Sequence, residues 1–460
     1  MRLTSIANQV FRHVEICQEV LGLGFLAFGF SALHICNANA VPAFAEQTGQ
    51  RCSACHVGGL GPQLTPFGRE FKLGGYTMRK GPEFTNPLAG MLVGSFVHTQ
   101  KDQDSPPAPH YDVNDNFTVD QASIFVAGGV GTHFGGFVQF TYDGVDRSVA
   151  WDQLDLRVTT HENVAGSNVL LGINVNNSPG VQDVWNTLPS WGFPYTTSDL
   201  GPSPAASPIL SGALAQRVVG SGIYAMWDSH IYTEAGIYWA PGHKFLNAFG
   251  VDLSDGDALL KGAAPYLRAT YVKDYGTQNF EFGAFALFAH LYPDGDRSVM
   301  ADGFNDVGID GSWQLFGDGG DTYQLNARYI HEQQNRDSSV ALGDSANRHD
   351  SLQELHLDVS YYWHRIVGFT VSRFNIWGSK DGLLYSDNRT LTPNSTGVLL
   401  QVDYTPWGTD VSPLGPRFNV RVGMQYTLYT RFNGAGSNYD GLGHNASDNN
   451  TFRLFTWFEF

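Results

Sequence analysis

Cysteine, charge and long apolar runs are all scarce in this chain, and each scarcity removes a class of protein. Of the 4 cysteines, Cys17 and Cys36 fall in a stretch patterned like a secretory leader, so the mature chain keeps one pair. A structural zinc site, which wants four ligands, has no second cysteine pair to draw on. Charged residues make up 15% of the sequence, against about 25% in an ordinary soluble domain. The charge that is present leans acidic, with 27 Lys and Arg against 44 Asp and Glu and a formal net charge of −17. No nucleic-acid partner is expected from such a balance, and cations or basic proteins are. After residue 36 no stretch approaches the ~18–20 apolar residues of a membrane helix.

Glycine and aromatic side chains are plentiful instead, at 53 residues and 13%. From about Leu88 to Phe460 the chain runs in stretches of alternating polarity. Over 352–364, Leu355, Leu357, Val359, Tyr361 and Trp363 take one face, while Glu354, His356, Asp358, Ser360, Tyr362 and His364 take the other. Period two of this kind makes strands with one apolar and one polar face. About sixteen such stretches are expected, joined alternately by short and long links, which is the pattern of an outer-membrane barrel. The short links fall around Gly131, Asp228, Tyr275, Gly319 and Arg365. The long ones fall near 102–116, 178–212, 241–261, 292–303, 335–349, 379–394 and 433–449. Two links break the alternation: 144–148 is short among the long ones, and 409–416 is long among the short ones. The last strand ends on Phe460, a terminal aromatic of the kind that barrel-insertion machinery reads. A soluble all-β sandwich would need an apolar inner face, and here that face is Glu, His, Asp, Arg, Asn and Gln. Polar inside and apolar outside suits a lumen surrounded by outer-membrane lipid.

The N-terminus sets the remaining expectations. Residues 1–40 have an apolar run over 20–36 and an Ala38-Asn39-Ala40 cleavage site, the pattern of a signal peptide, with a retained anchor as the other reading. The remaining cysteines lie in Cys52-Ser53-Ala54-Cys55-His56. C-x-x-C-H is the attachment signal for c-type haem. The thiols of Cys52 and Cys55 add across the haem vinyl groups, and His56 becomes the proximal iron ligand. A thioredoxin-like pair needs a βαβ context that is missing, and it has no use for His56. One covalent haem c is therefore expected on a short segment, 41–85, which is of a size that rarely folds without a staple.

The distal ligand stays open. Met78 is a candidate, and its thioether would raise the potential; it could equally pack at the joint with the barrel. A histidine taken to face the lumen, such as His98, His356 or His364, or an open site, are the alternatives. Arg69 and Lys72 could pair with haem propionates or dock the segment against lumen carboxylates such as Glu354 and Asp358. Gly58, Gly59, Gly61, Gly68, Gly74 and Gly75 read as room for a flat macrocycle or simply as turns. The inward charges Asp155, Arg157, Glu234, Arg268, Arg328, Glu354, Asp358, Arg421 and Arg453 would hold a plug or tune solute flow. Asp residues crowd the long links (Asp102, Asp104, Asp112, Asp115; Asp252, Asp255, Asp257; Asp294, Asp296, Asp302), where divalent cations would collect.

Val41-Pro42-Ala43-Phe44-Ala45, Gln47-Thr48-Gly49, the C-x-x-C-H and Leu64-Thr65-Pro66-Phe67-Gly68-Arg69-x-Phe71-Lys72-Leu73-x-Gly75-Tyr76 resemble the fused monohaem c-type cytochrome–porin family. Its studied members are outer-membrane iron oxidases. The specific match covers 41–81, and the Val57–Gly61 stretch (VGGLG) departs from it. The resemblance implies a haem plug (41–85) on a transmembrane antiparallel barrel (86–460), passing electrons from extracellular Fe(II) to a periplasmic electron carrier. An iron(II) oxidase activity would follow. A diffusion porin whose haem senses or scavenges an oxidant, and a haem peroxidase-like enzyme, are the other readings.

Overall fold

The computed structural model describes residues 42–253, 259–415 and 417–460. The leader read over 1–40 lies outside the described residues. Seventeen strand segments form one sheet with antiparallel neighbours. Leu259–Leu260 and Ala263–Asp274 both pair with Gln278–Tyr292 and make one strand interrupted at Gly262, where φ is +67°. The barrel therefore has 16 strands, as the alternation predicts. Leu88–Thr99 pairs with Asn116–Val130 on one side and with Thr451–Glu459 on the other, so the sheet closes on itself.

Side chains sort as the period-two pattern requires. In His349–Trp363, Leu355, Leu357, Val359 and Trp363 are 40–50% exposed on the outside, while Glu354, Asp358, Ser360 and Tyr362 are buried in the lumen. Every strand has a ladder partner on both sides and the exterior is apolar, which is what a hydrocarbon surrounding demands of a spanning sheet. Trp227, Tyr275, Phe280, Tyr323, Trp363, Phe369 and Tyr404 ring the outside at the short-turn end, the place of an interfacial aromatic girdle. Both irregular links are present. Phe134–Asp143 and Ser148–Val164 are joined by a four-residue turn, and the chain between Ser395–Tyr404 and Asn419–Arg431 is long.

One long link does not behave as expected. Residues 178–212 read as one of the outer loops, but the link between Ser167–Asn176 and Val219–Trp227 folds into the lumen, and 177–188 is a continuous buried run. Its backbone could not be buried unpaired, and the wall supplies the partners. Arg157 donates to Gln182 O (2.7 Å), Arg328 to Thr187 O (2.9 Å) and Arg453 to Thr196 O (2.9 Å). Ile209 N donates to Glu332 (2.7 Å) and Leu210 N to Asp306 (2.8 Å).

The N-terminal segment enters the same lumen from the short-turn end, touching Gly129 and Gly408 there. It is built of helix Pro42–Thr48, a helical turn Cys52–Cys55, a 3₁₀ turn Val57–Gly59 and helix Pro66–Leu73. Thr65 caps the last of these, its side chain accepting from Gly68 N, with Pro66 at the first helical position.

Candidate functional site

The segment meets the barrel wall largely through its own backbone. Arg421 donates to Gly58 O (3.2 Å), Asn419 to Gly59 O (2.9 Å), Gln314 to Leu64 O (2.9 Å) and the Tyr224 hydroxyl to Leu73 O (2.6 Å). Gly58 and Gly59 have φ of +70° and +75°; a Cβ at the first would overlap the Tyr362 ring, and one at the second would press on Gly408 Cα. These two glycines serve the wall contact. Gly61 and Gly68 instead open on a cavity, and Gly68 lets its helix lie against the Cys55 carbonyl, where any side chain would collide.

That cavity, about 300 Å³, lies in the range of ligand pockets, about 300–1,000 Å³. Three elements enclose it. The segment contributes Phe44, Cys52, Cys55, His56 and Phe71; the infolded link contributes Asn186, Trp191 and Tyr195; the wall contributes Met91, Phe125, Phe137 and Trp457. Cys52 and Cys55 open and close one helical turn and are half-buried. His56 follows in extended backbone, its N–H donating to Cys52 O (2.8 Å). A bridge to Leu64 and the Thr65 N–H donating to Cys55 O (2.9 Å) set its place.

The electrostatics suit an imidazole ligand. Burial pushes the His56 pKa down to about 4; the Gly61 backbone pulls it up and the Arg421 charge adds to the fall. The ring is thus neutral at neutral pH, the form that binds a metal. Its Nδ1 is buried without a hydrogen-bond partner, as are Gln153 Oε1 and Trp457 Nε1 on the same cavity. Burial also pushes the Cys55 thiol up to about 12. Two thiols and an imidazole opening on one aromatic-lined space fit a haem c. Cys52 and Cys55 would anchor it and His56 would ligate it.

The other sequence candidates separate. Lys72 lines the cavity, but its ammonium donates to Val181 O (2.6 Å) and Asp183 O (2.8 Å), lies 3.7 Å from Asp155 and sits 4.7 Å over the Trp191 ring. Arg69 does not line it; it donates to Asn279 (2.6 Å) and Ser312 (3.3 Å) of the wall. Both cations therefore dock the segment. The carboxylates that face them are Asp155, Asp183 and Glu281, not Glu354 and Asp358, because docking puts helix Pro66–Leu73 on other walls. Met78 is half-buried against a cluster holding Phe71, Tyr76 and Phe137, its carbonyl accepting from Gln47 (2.8 Å), and it is not among the lining residues.

The histidines expected in the lumen divide as well. His98 is exposed on the outward face beside Asp115 (2.7 Å), and His364 sits in a short turn against Gly319 O (2.8 Å). Neither faces the lumen: the pleat turns the first outward, and the strand ends before the second. His356 does face inward, 3.8 Å from Glu354, away from the cavity. The inward charges are buried as expected: Asp155 and Arg421 meet the segment, Arg157, Arg268, Arg328, Glu354 and Arg453 meet the link, and Glu234 and Asp358 accept from Asn174, Tyr232 and Ser372 of the wall itself. Asp255 and Asp257 lie outside the described residues, among which no three His, Cys, Asp or Glu converge as a metal cluster.

Sequence reasoning missed Met91, Trp457, Trp191 and Tyr195. The first two stand at inward parity on the first and last strands, a signal that was there to be read. The other two depend on the infolding of the link. No protein-family model matches the chain, and no curated protein matches it. Among solved structures it is similar to an anion-selective porin from Comamonas acidovorans (10% identity, 81% of this chain and 98% of that one, TM-score 0.45). It is also similar to OprB of Pseudomonas putida (10%, 81% and 93%, 0.45) and to OmpT of Vibrio cholerae (11%, 81% and 98%, 0.42). By its own closure, strand number and apolar exterior, the chain is a porin-like β-barrel of the outer-membrane type.

Proposed function

We propose that this chain is an exported outer-membrane cytochrome, with one haem c held in the lumen of a plugged barrel, carrying electrons from an extracellular donor to a periplasmic carrier. The family resemblance makes Fe(II) the donor. The observation that carries the reading is that Cys52, Cys55 and His56 open together on one cavity closed by segment, link and wall. When bound, the group supplies one-electron chemistry, and the chain's residues do the rest. The cysteines fix its position, His56 ligates it, and Phe44, Phe125, Phe137, Trp191 and Trp457 pack around it. The apolar band of such a barrel is about 25 Å tall, too much insulation for a carrier confined to one side. Held inside the lumen, a redox centre shortens that gap.

A diffusion porin is less well supported, because the link fills the lumen with buried residues over 177–188. The test is expression of the full chain with c-type maturation, then haem staining after denaturing electrophoresis and titration with Fe(II) followed by haem absorbance. Covalent haem that Fe(II) reduces is expected. A wild-type chain without covalent haem would remove the cytochrome reading, and covalent haem that Fe(II) leaves oxidised at every pH would remove the iron donor. Solute flow through liposomes at the rate of an open porin would remove the plugged barrel.

A further inference from the structure

We infer that the barrel wall supplies the distal ligand of the haem iron through Met91; this deepens the cytochrome reading and rests on it. The argument begins with which donors the cavity offers. Among the described residues that line it, those carrying sulfur or imidazole are His56, the two cysteines and Met91. The cysteines are committed to attachment and His56 to the proximal side. Met78 lies off the cavity, in the aromatic cluster of the segment.

The remaining polar groups on the cavity are engaged or ill-suited. The Lys72 ammonium is held by two carbonyls, and the Tyr76 hydroxyl donates to Asp155 (2.8 Å). Asp152 accepts from Gln139 (3.0 Å) and Thr141 (2.8 Å). Asp183 accepts from the backbone of Trp185 (3.0 Å), Thr187 (3.0 Å) and Leu188 (3.1 Å). Burial holds the Tyr195 phenol well above its ordinary pKa and so in its neutral form. Glu459, the ladder partner of Met91, and the unpartnered Gln153 Oε1 are the rivals, and both are hard oxygen donors.

Met91 suits the role on position and chemistry. Its side chain faces inward from Leu88–Thr99, is 7% exposed and packs with Leu60, Val93, Phe455 and Trp457. Leu60 belongs to the haem segment, four residues past His56, so this cluster joins the wall to the segment at the cavity. A thioether is soft and uncharged, which suits haem iron and raises its potential. A strand also holds its ligand more rigidly than a loop does. With the ligand on the wall, six-coordinate iron would report that the segment is docked.

The test uses the full chain carrying covalent haem, with Met91→Leu, Met91→His and, as controls, Met78→Leu and Glu459→Gln. Met91→Leu should lower the midpoint potential and let the reduced haem bind carbon monoxide, which the wild type should not bind. Met91→His should restore a six-coordinate spectrum at a lower potential than wild type, showing that the barrel and cavity survive the change. Both controls should keep the wild-type six-coordinate spectrum and its refusal of carbon monoxide. The inference is overturned if Met91→Leu retains them, or if Met78→Leu or Glu459→Gln reproduces its effect. Absence of covalent haem from the wild type would instead remove the cytochrome reading.

Discussion

The lumen is filled twice, and the two fillings are held in opposite ways. The N-terminal segment is gripped by its carbonyls, which accept from Arg421, Asn419, Gln314 and Tyr224, and it contributes two cations of its own, Arg69 and Lys72. The infolded link is held by charges that belong to the wall, with Arg157, Arg328 and Arg453 on its carbonyls and Glu332 and Asp306 on its N–H groups. Single hydrogen bonds of the first kind contribute about 0.5–1.5 kcal/mol each, or about 1.5–3 kcal/mol where one partner is charged. A buried charge stripped of its partner costs about 3–5 kcal/mol. The segment is therefore tied mostly by moderate contacts, and the link by contacts that each cost more to break.

Arg268 is where that contrast should break hardest. Its guanidinium lies 2.6 Å from Asp310, 3.5 Å from Glu281 and 3.6 Å from Asp183 of the link. Arg268→Met strands three buried carboxylates, with an expected loss of about 3–5 kcal/mol. The link should loosen, and conductance in planar bilayers should rise above that of the wild type. Unchanged conductance and unchanged thermal stability would show that charge does not hold the link.

Gly58→Ala probes the other filling. The added methyl meets the Tyr362 ring at a backbone φ of +70°, and overpacking of this kind costs about 1–3 kcal/mol. Limited proteolysis from the short-turn side should then cut within 42–85, while the barrel keeps its heat-dependent migration on gels. Protection equal to wild type would mean that the glycine contact is dispensable. The smallest effect is expected from Tyr224→Phe, which removes one donor to Leu73 O at a cost of about 0.5–1.5 kcal/mol. Hydrogen exchange should speed up in helix Pro66–Leu73 and stay unchanged in the link. Equal acceleration in both would show that the two fillings are one cooperative unit.

Much of the barrel was legible because its signal is local. Leu355, Leu357 and Val359 alternate with Glu354, His356 and Asp358 within a single strand, and no distant residue is needed to read which face is which. The irregular links at 144–148 and 409–416 showed for the same reason. The link at 178–212 deceived because its length placed it with the outer loops although Asp183 and Asp199 are its only charges, and what draws it inward is remote: Ile209 and Glu332 are 123 residues apart. The candidate site was half legible. Cys52, Cys55 and His56 announce themselves by spacing. Met78 looked eligible by proximity in the chain, yet it packs among Phe71, Tyr76 and Phe137, and Met91 reaches the cavity from the wall.

The sequence by itself determined that this chain makes strands with one dry and one wet face, that enough of them exist to close, and that one segment carries the C-x-x-C-H spacing. Those are properties of neighbours two or three residues apart. Only the tertiary structure decided what fills the lumen and which side chains surround His56. Closure brings Arg421 to the carbonyl of Gly58, 363 residues away. A buried donor takes whichever acceptor closure sets beside it, and period-two patterning carries no record of that choice.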